Sequence, residues 1–178
     1  VDLGMDDNNA HVQPNGTYHY HGLPTGLIES WSPNIHSPVV GYAADGFPIY
    51  ALFGHEDSSG NGPVRELTSS WRIKSGGRPE SGNGPGGKYD GRFVEDYEYI
   101  DGAGDLDHNN GRFVKNQDYP DGIYAYFLTT SFPFIPRFFA GTPDESFIRH
   151  PKGGGMRQRP DGRRPPPPPG AKPPRRRN

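Results

Sequence analysis

His11-Val12-Gln13-Pro14-Asn15-Gly16-Thr17-Tyr18-His19-Tyr20-His21 holds three of the chain's seven histidines. Pro14-Asn15-Gly16 is turn chemistry, with proline setting φ and Asn-Gly supplying the left-handed position. Thr17 to His21 then alternates, and successive side chains of a strand point to opposite faces. The stretch therefore predicts a strand with His19 and His21 on one face and Tyr18 and Tyr20 on the other. Two imidazoles on one strand face can converge on one metal ion, and the turn folds His11 back as a third ligand. The competing reading is aromatic packing with hydrogen-bonded histidines; three imidazoles in so short a span favour the metal.

Outward from this strand the pattern stays β. Residues 38–52 read as a hairpin, with Val39, Val40 and Tyr42 before an Asp45-Gly46 turn and Phe47, Ile49, Tyr50 and Leu52 after it. Residues 69–74, 93–100 and 123–130 read as further strands. Residues 27–36 read as irregular with Trp31 buried, and residues 54–66 as a polar loop with His55 a solvated surface histidine. Residues 75–88 are Gly-rich, but no Gly-Lys-Ser/Thr ending follows, so a phosphate-binding loop is rejected. Pro133 and Pro136 bar residues 132–140 from a central strand and predict an extended segment across the core. Asp105-Leu106-Asp107-His108-Asn109-Asn110-Gly111 has calcium-loop flavour, yet the glycine falls one place late and Asn116 stands where the closing glutamate belongs. An Asx turn is the better reading there.

Composition agrees. Gly 26 and Pro 21 of 178 residues, with a low apolar fraction, suit short strands and turns, and Tyr and Phe must supply much of the core. No cysteine is present, which excludes thiolate metal sites, disulfides and thiol catalysis. No apolar run is long enough to span a membrane. A Gly-x-Ser-x-Gly elbow is absent, and no nucleic-acid recognition module is present, so hydrolase and nucleic-acid readings are set aside. The charge is split: residues 1–149 carry ten Lys/Arg against twenty Asp/Glu, and residues 150–178 carry nine against one, giving −10 and +8.

The body contains an internal pseudo-repeat. Met5 to His11 aligns with Leu106 to Arg112, and Pro14 to His21 aligns with Pro120 to Phe127. Tyr18 and Tyr20 return as Tyr124 and Tyr126. The histidines do not return: Arg112, Ala125 and Phe127 stand at the positions of His11, His19 and His21. The tyrosines and turns are thus expected to carry the shared fold, and the first copy alone the imidazoles.

Tyr18-His19-Tyr20-His21, the segment from Gly41 to Tyr50, the Leu106-Asp107 segment and Phe132-Pro133-Phe134-Ile135 together resemble the YHYH domain family over about residues 5–142. The resemblance implies an extracellular or secreted protein of largely unassigned function, with a metal role suspected from the histidines. Family members often keep a similar histidine motif in the second copy, from which this chain departs.

The expected fold is all-β: a turn-rich antiparallel domain with an internal pseudo-repeat over residues 1–149, followed by an extended polyproline-type tail over 150–178. Five prolines at 165–169 favour polyproline II at about 3.1 Å per residue, so the tail can reach on the order of 90 Å. The expected function is a secreted structural protein that self-assembles into a fibril or filament, the basic tail docking on acidic domains of neighbouring copies. The alternative is an extracellular copper- or zinc-binding protein, or a metal-dependent enzyme, built on the Tyr-His strand; the non-enzymatic reading is preferred because no general base stands out beside the cluster, Asp6 and Asp7 being the nearest acids. The candidate metal ligands are His11, His19, His21, His36, His108 and Asp107, for copper or zinc ahead of calcium. The chain begins at Val1 rather than Met, consistent with an expected leader already removed. Asn15-Gly16-Thr17 is a glycosylation sequon.

Overall fold

Short alternating runs interrupted by glycine and proline dictate short strands, and the computed structural model, which describes residues 4–80 and 84–147, is built from them. In chain order they are β1 (Ala10–Val12), β2 (Tyr18–Tyr20), a one-turn helix α1 (Thr25–Ile28), β3 (Val39–Tyr42), β4 (Pro48–Tyr50), β5 (Phe53–His55), β6 (Val64–Glu66), β7 (Trp71–Ile73), β8 (Tyr97–Tyr99), β9 (Gly111–Val114) and β10 (Ile123–Phe127). Three two-stranded ribbons, β1–β2, β5–β6 and β7–β8, accompany a four-stranded sheet of order β3-β4-β10-β9. All pairings are antiparallel except β4–β10, which is parallel. No helix among the described residues is long and apolar enough to cross a membrane.

The all-β reading holds, with local differences. Residues 54–66 are not one loop: Phe53–His55 and Val64–Glu66 pair across a shorter connection. Their alternation is hidden because the middle position of β5 is Gly54, buried against Leu67 and Phe127; a Cβ there would stand 2.9 Å from Leu67 Cδ1. His55 accordingly ends a strand and is half-buried rather than solvated. The strand expected over 93–100 is shortened by a 3₁₀ turn at Val94–Asp96, and α1 interrupts the irregular stretch that follows the Tyr-His strand. Trp31 is half-buried against a cluster of Ile28, Ala51, Leu52 and Leu128.

The main core gathers Tyr50, Leu67, Leu106, Val114, Ala125 and Phe127. Strand β10 runs through its centre. Ala125 and Phe127 join that cluster, whereas Tyr124 and Tyr126 turn to the other face against Phe47. Their hydroxyls donate to Asp107 and Asp45, so each buried phenol is satisfied. Residues 132–140 are not the extended segment across the core that their apolar run suggested: they begin in a turn, with Phe132 and Pro133 buried and Phe132 stacked on Tyr97 at 3.9 Å, and Phe134, Phe138 and Phe139 are exposed.

The pseudo-repeat is structural. β1–β2 pairs Ala10 with Tyr20, His11 with His19 and Val12 with Tyr18, and β9–β10 pairs Gly111 with Tyr126, Arg112 with Ala125 and Phe113 with Tyr124. The preceding turns match too. Asp6 and Asp107 each accept two backbone N–H groups through Oδ1, from Asn8 and Ala10 in one copy and from Asn109 and Gly111 in the other. Asn9 and Asn110 both adopt positive φ, 57° and 60°, a conformation asparagine tolerates better than most residues. Tyr18 and Tyr124 both donate their hydroxyls to the aspartate. One hairpin design is used twice: both tyrosines are kept on one face, where Gly111 and Phe113 stand for Ala10 and Val12, and all three imidazoles are replaced on the other.

Candidate metal centre

The first hairpin positions its imidazoles by register. His11 lies opposite His19 across the β1–β2 pair, and cross-strand partners are in side-chain contact. His21 follows two residues after His19 on the same face, its N–H donating to the Asn9 carbonyl at 2.7 Å. The three rings form a triangle with centroids 4.7 Å (His11–His19), 4.9 Å (His11–His21) and 4.6 Å (His19–His21) apart. One nitrogen from each ring can be chosen so that all three lie within 4.8 Å of one another. Nitrogens on one tetrahedral ion at the usual Zn–N length stand about 3.3 Å apart, so the rings close on an ion by turning their nitrogens inward by up to roughly 1.5 Å.

His19 is the centre of the triangle. Its Nδ1 is buried and has no hydrogen-bond partner, while Nε2 lies 3.4 Å from the Gln13 side-chain amide. The Gln13 atom facing the ring is the amide nitrogen Nε2, which donates to His19 Nε2 and leaves the ring proton on Nδ1; only with the amide turned over does Nε2 carry the proton and Nδ1 offer its lone pair to the cluster. A buried, unpartnered nitrogen costs stability unless something occupies it, and a metal ion is the group that three neutral imidazoles can share. His21 is exposed, and its pKa is pushed below the ordinary 6.5 by desolvation first, then by His19 and His11. It therefore stays neutral, the ligating form, at near-neutral pH.

Tyr18 and Tyr20 occupy the opposite face and pack edge-on at 5.5 Å. Tyr18 donates to Asp6 at 2.6 Å, which lowers the Asp6 pKa and pushes the phenol up to about 12. Asp6 is committed to Tyr18 and to two backbone amides, so it is a structural anchor and not a base beside the imidazoles.

The other residues singled out from sequence lie elsewhere. Asp107 makes the Asx turn of the second copy and receives the Tyr124 hydroxyl at 2.9 Å. His108 sits among aromatic rings, 5.0 Å from Trp71 and 4.7 Å from Phe138. His36 packs edge-on against Tyr50 at 4.8 Å, and burial lowers its pKa. None of these three joins the His11–His19–His21 triangle. Sequence reading missed Gln13, which sits beside His19 by hairpin geometry, and Arg137, which shares with His21 a surface cleft of about 350 Å³ walled by residues 133–136. Nothing in the local pattern around Arg137 marks it, because only tertiary folding brings it to this strand.

Residues 1–141 match the family described as YHYH protein. The chain belongs to that family. The triangle is thus formed by the two histidines of the motif for which the YHYH family is named and one from the preceding strand. No curated protein and no solved structure matches the chain.

Proposed function

We propose that this YHYH protein is a metal-binding protein of the extracellular space, holding copper(II) or zinc through His11, His19 and His21. The observation that carries this reading is the buried, unpartnered Nδ1 of His19 at the centre of three mutually close imidazoles. Neutral imidazole suits both ions, and the all-nitrogen set disfavours calcium or magnesium. Three protein ligands leave a fourth position for water or an incoming ligand, and the exposure of His21 keeps that position accessible. With Asp6 committed elsewhere, the site suits holding and exchanging the ion better than base-assisted hydrolysis. The Asn15-Gly16-Thr17 sequon is exposed at the hairpin turn, where a glycan would attach in a glycosylating host.

Zinc titrated into chelator-stripped protein should shift the imidazole NMR signals of His11, His19 and His21 together. Binding should be full near pH 7.5 and disappear as pH falls below roughly 6, because protons compete for the same lone pairs. His21 sharpens the prediction for the metal-free protein. Its folded pKa is lowered below 6.5, so stability is flat above that value and declines as pH falls through it. Imidazole signals that ignore zinc at pH 7.5 would sink the reading.

A second reading rests on charge alone. The acidic body at −10 and the basic segment at +8 suit head-to-tail association between copies. Residues 150–178 lie outside the described residues. Removing them should abolish filaments in negative-stain electron microscopy, and salt should dissolve those of the full chain. Filaments that survive the deletion would end this second reading.

A further inference from the structure

A different pair of histidines meets on the far side of the second hairpin. His36 and His55 have ring centroids 5.6 Å apart, and both line a cleft of about 420 Å³ that also includes Asn34, Val64, Asn116 and Asp118. Their Nδ1 atoms are both spoken for. His36 Nδ1 is 2.8 Å from the Ser37 carbonyl, and His55 Nδ1 is 3.1 Å from the Gly62 carbonyl. A carbonyl oxygen only accepts, so each Nδ1 carries the proton and each neutral ring presents its lone pair at Nε2. Neither Nε2 has a hydrogen-bond partner among the described residues. Protonated Nδ1 fixed by a backbone carbonyl, with Nε2 free, is how proteins orient histidine ligands.

The pseudo-repeat explains why these two rings are there. In the second hairpin Arg112 and Phe127 replace His11 and His21, so that face has no imidazoles of its own. His36 packs against Phe127 at 6.1 Å, and the Arg112 guanidinium donates to the carbonyls of His55 and Glu56. The segment before β3 and the end of β5 thus supply one imidazole each to the face where the first hairpin carries its own. Arg112 is the nearby cation; its two Nη groups donate to backbone carbonyls, while its buried Nε–H has no hydrogen-bond partner. Asp118, which accepts the Tyr50 hydroxyl at 3.1 Å, brings the compensating negative charge to the cleft wall.

We propose that His36 and His55 form a second metal site, separate from the hairpin triangle, which takes zinc or copper(II) through two Nε2 atoms. Water and oxygen groups of the cleft wall complete the coordination. With both Nε2 atoms turned to one ion at ordinary Zn–N lengths, a 5.6 Å centroid spacing would give an N–metal–N angle of about 120°. With fewer protein ligands, this site is the weaker of the two.

The test uses the full chain, stripped with chelator and reloaded with zinc. The parent protein should bind two equivalents by equilibrium dialysis with elemental analysis. The triple variant His11→Ala/His19→Ala/His21→Ala should retain one, and adding His55→Ala should remove it. In the triple variant, long-range ¹H–¹⁵N NMR should show zinc shifting the Nε2 signals of His36 and His55 while His108 stays fixed, a readout that needs no further substitution. A triple variant that binds no zinc, or one whose remaining equivalent survives His55→Ala with His36 and His55 signals unmoved, overturns the proposal. One equivalent in the parent, none in the triple variant, leaves the hairpin site standing and removes this one. One in the parent, retained in the triple variant and lost with His55→Ala, does the reverse.

Discussion

Replacing His19 by alanine should lower zinc affinity by about 100-fold or more, since loss of a group merely supporting a ligand already costs 10- to 100-fold. His19 is the residue to choose because it stands nearest both partners, 4.7 Å from His11 and 4.6 Å from His21 between ring centroids. It also holds the buried nitrogen that has no other partner. The hairpin itself should survive, because its register rests on the backbone pairing of β1 with β2. Tyr18→Phe is the informative control. It removes the Asp6 hydrogen bond from the same strand and should leave zinc affinity within a few-fold of the parent. Calorimetry on the three proteins at pH 7.5 decides the matter. Equal affinity in His19→Ala and parent would mean that the triangle is aromatic packing after all.

The triangle was legible because everything it needs is local. The period of two placed His19 beside His21, and Pro14-Asn15-Gly16 returned His11 to them; the structure adds that Gly16 sits at φ 84° in that turn. The pseudo-repeat was legible for the same reason. Met5–His11 and Leu106–Arg112 share an Asx turn whose hydrogen bonds close within five residues, so aligned letters became aligned geometry. Once Asp107 is understood as the anchor of that turn, its candidacy as a ligand has an explanation in structure: the same carboxylate that looks like a ligand in sequence is holding Asn109, Gly111 and Tyr124.

What stayed hidden depends on distant partners. His55 looked solvated because Gly54 breaks the alternation of β5, yet Gly54 is glycine to let that strand lie on Leu67 and Phe127. The meeting of His36 with His55 follows from the packing of His36 on Tyr50 and Phe127, and no spacing encodes it. The parallel β4–β10 junction joins Ile49 and Tyr50 to Tyr126 and Phe127, far apart along the chain, and each strand alone reads like an ordinary hairpin arm.

The repeat also gives a paired prediction on stability. Position 21 and position 127 are equivalent in the two hairpins, and each backbone N–H donates to the equivalent asparagine carbonyl, Asn9 or Asn110. Their side chains do different work. Phe127 is fully buried, stacks on Tyr50 at 5.6 Å and touches the Leu67 side of the core, whereas His21 is exposed. Phe127→Ala leaves a cavity at the centre of the sheet and should cost about 3–5 kcal/mol. For a chain of this length that is a fall in melting temperature of roughly 10 °C. His21→Ala, measured with chelator present so that bound metal adds nothing, should stay within about 0.5 kcal/mol of the parent, as exposed substitutions do. Denaturant unfolding of both variants compares them directly. If His21→Ala proves as damaging as Phe127→Ala under chelation, the first hairpin's imidazoles are holding the fold together and are not held in reserve for an ion. The expected gap between the two measures how far the copies have diverged, one hairpin turned to the core and the other left facing outward with three lone pairs to offer.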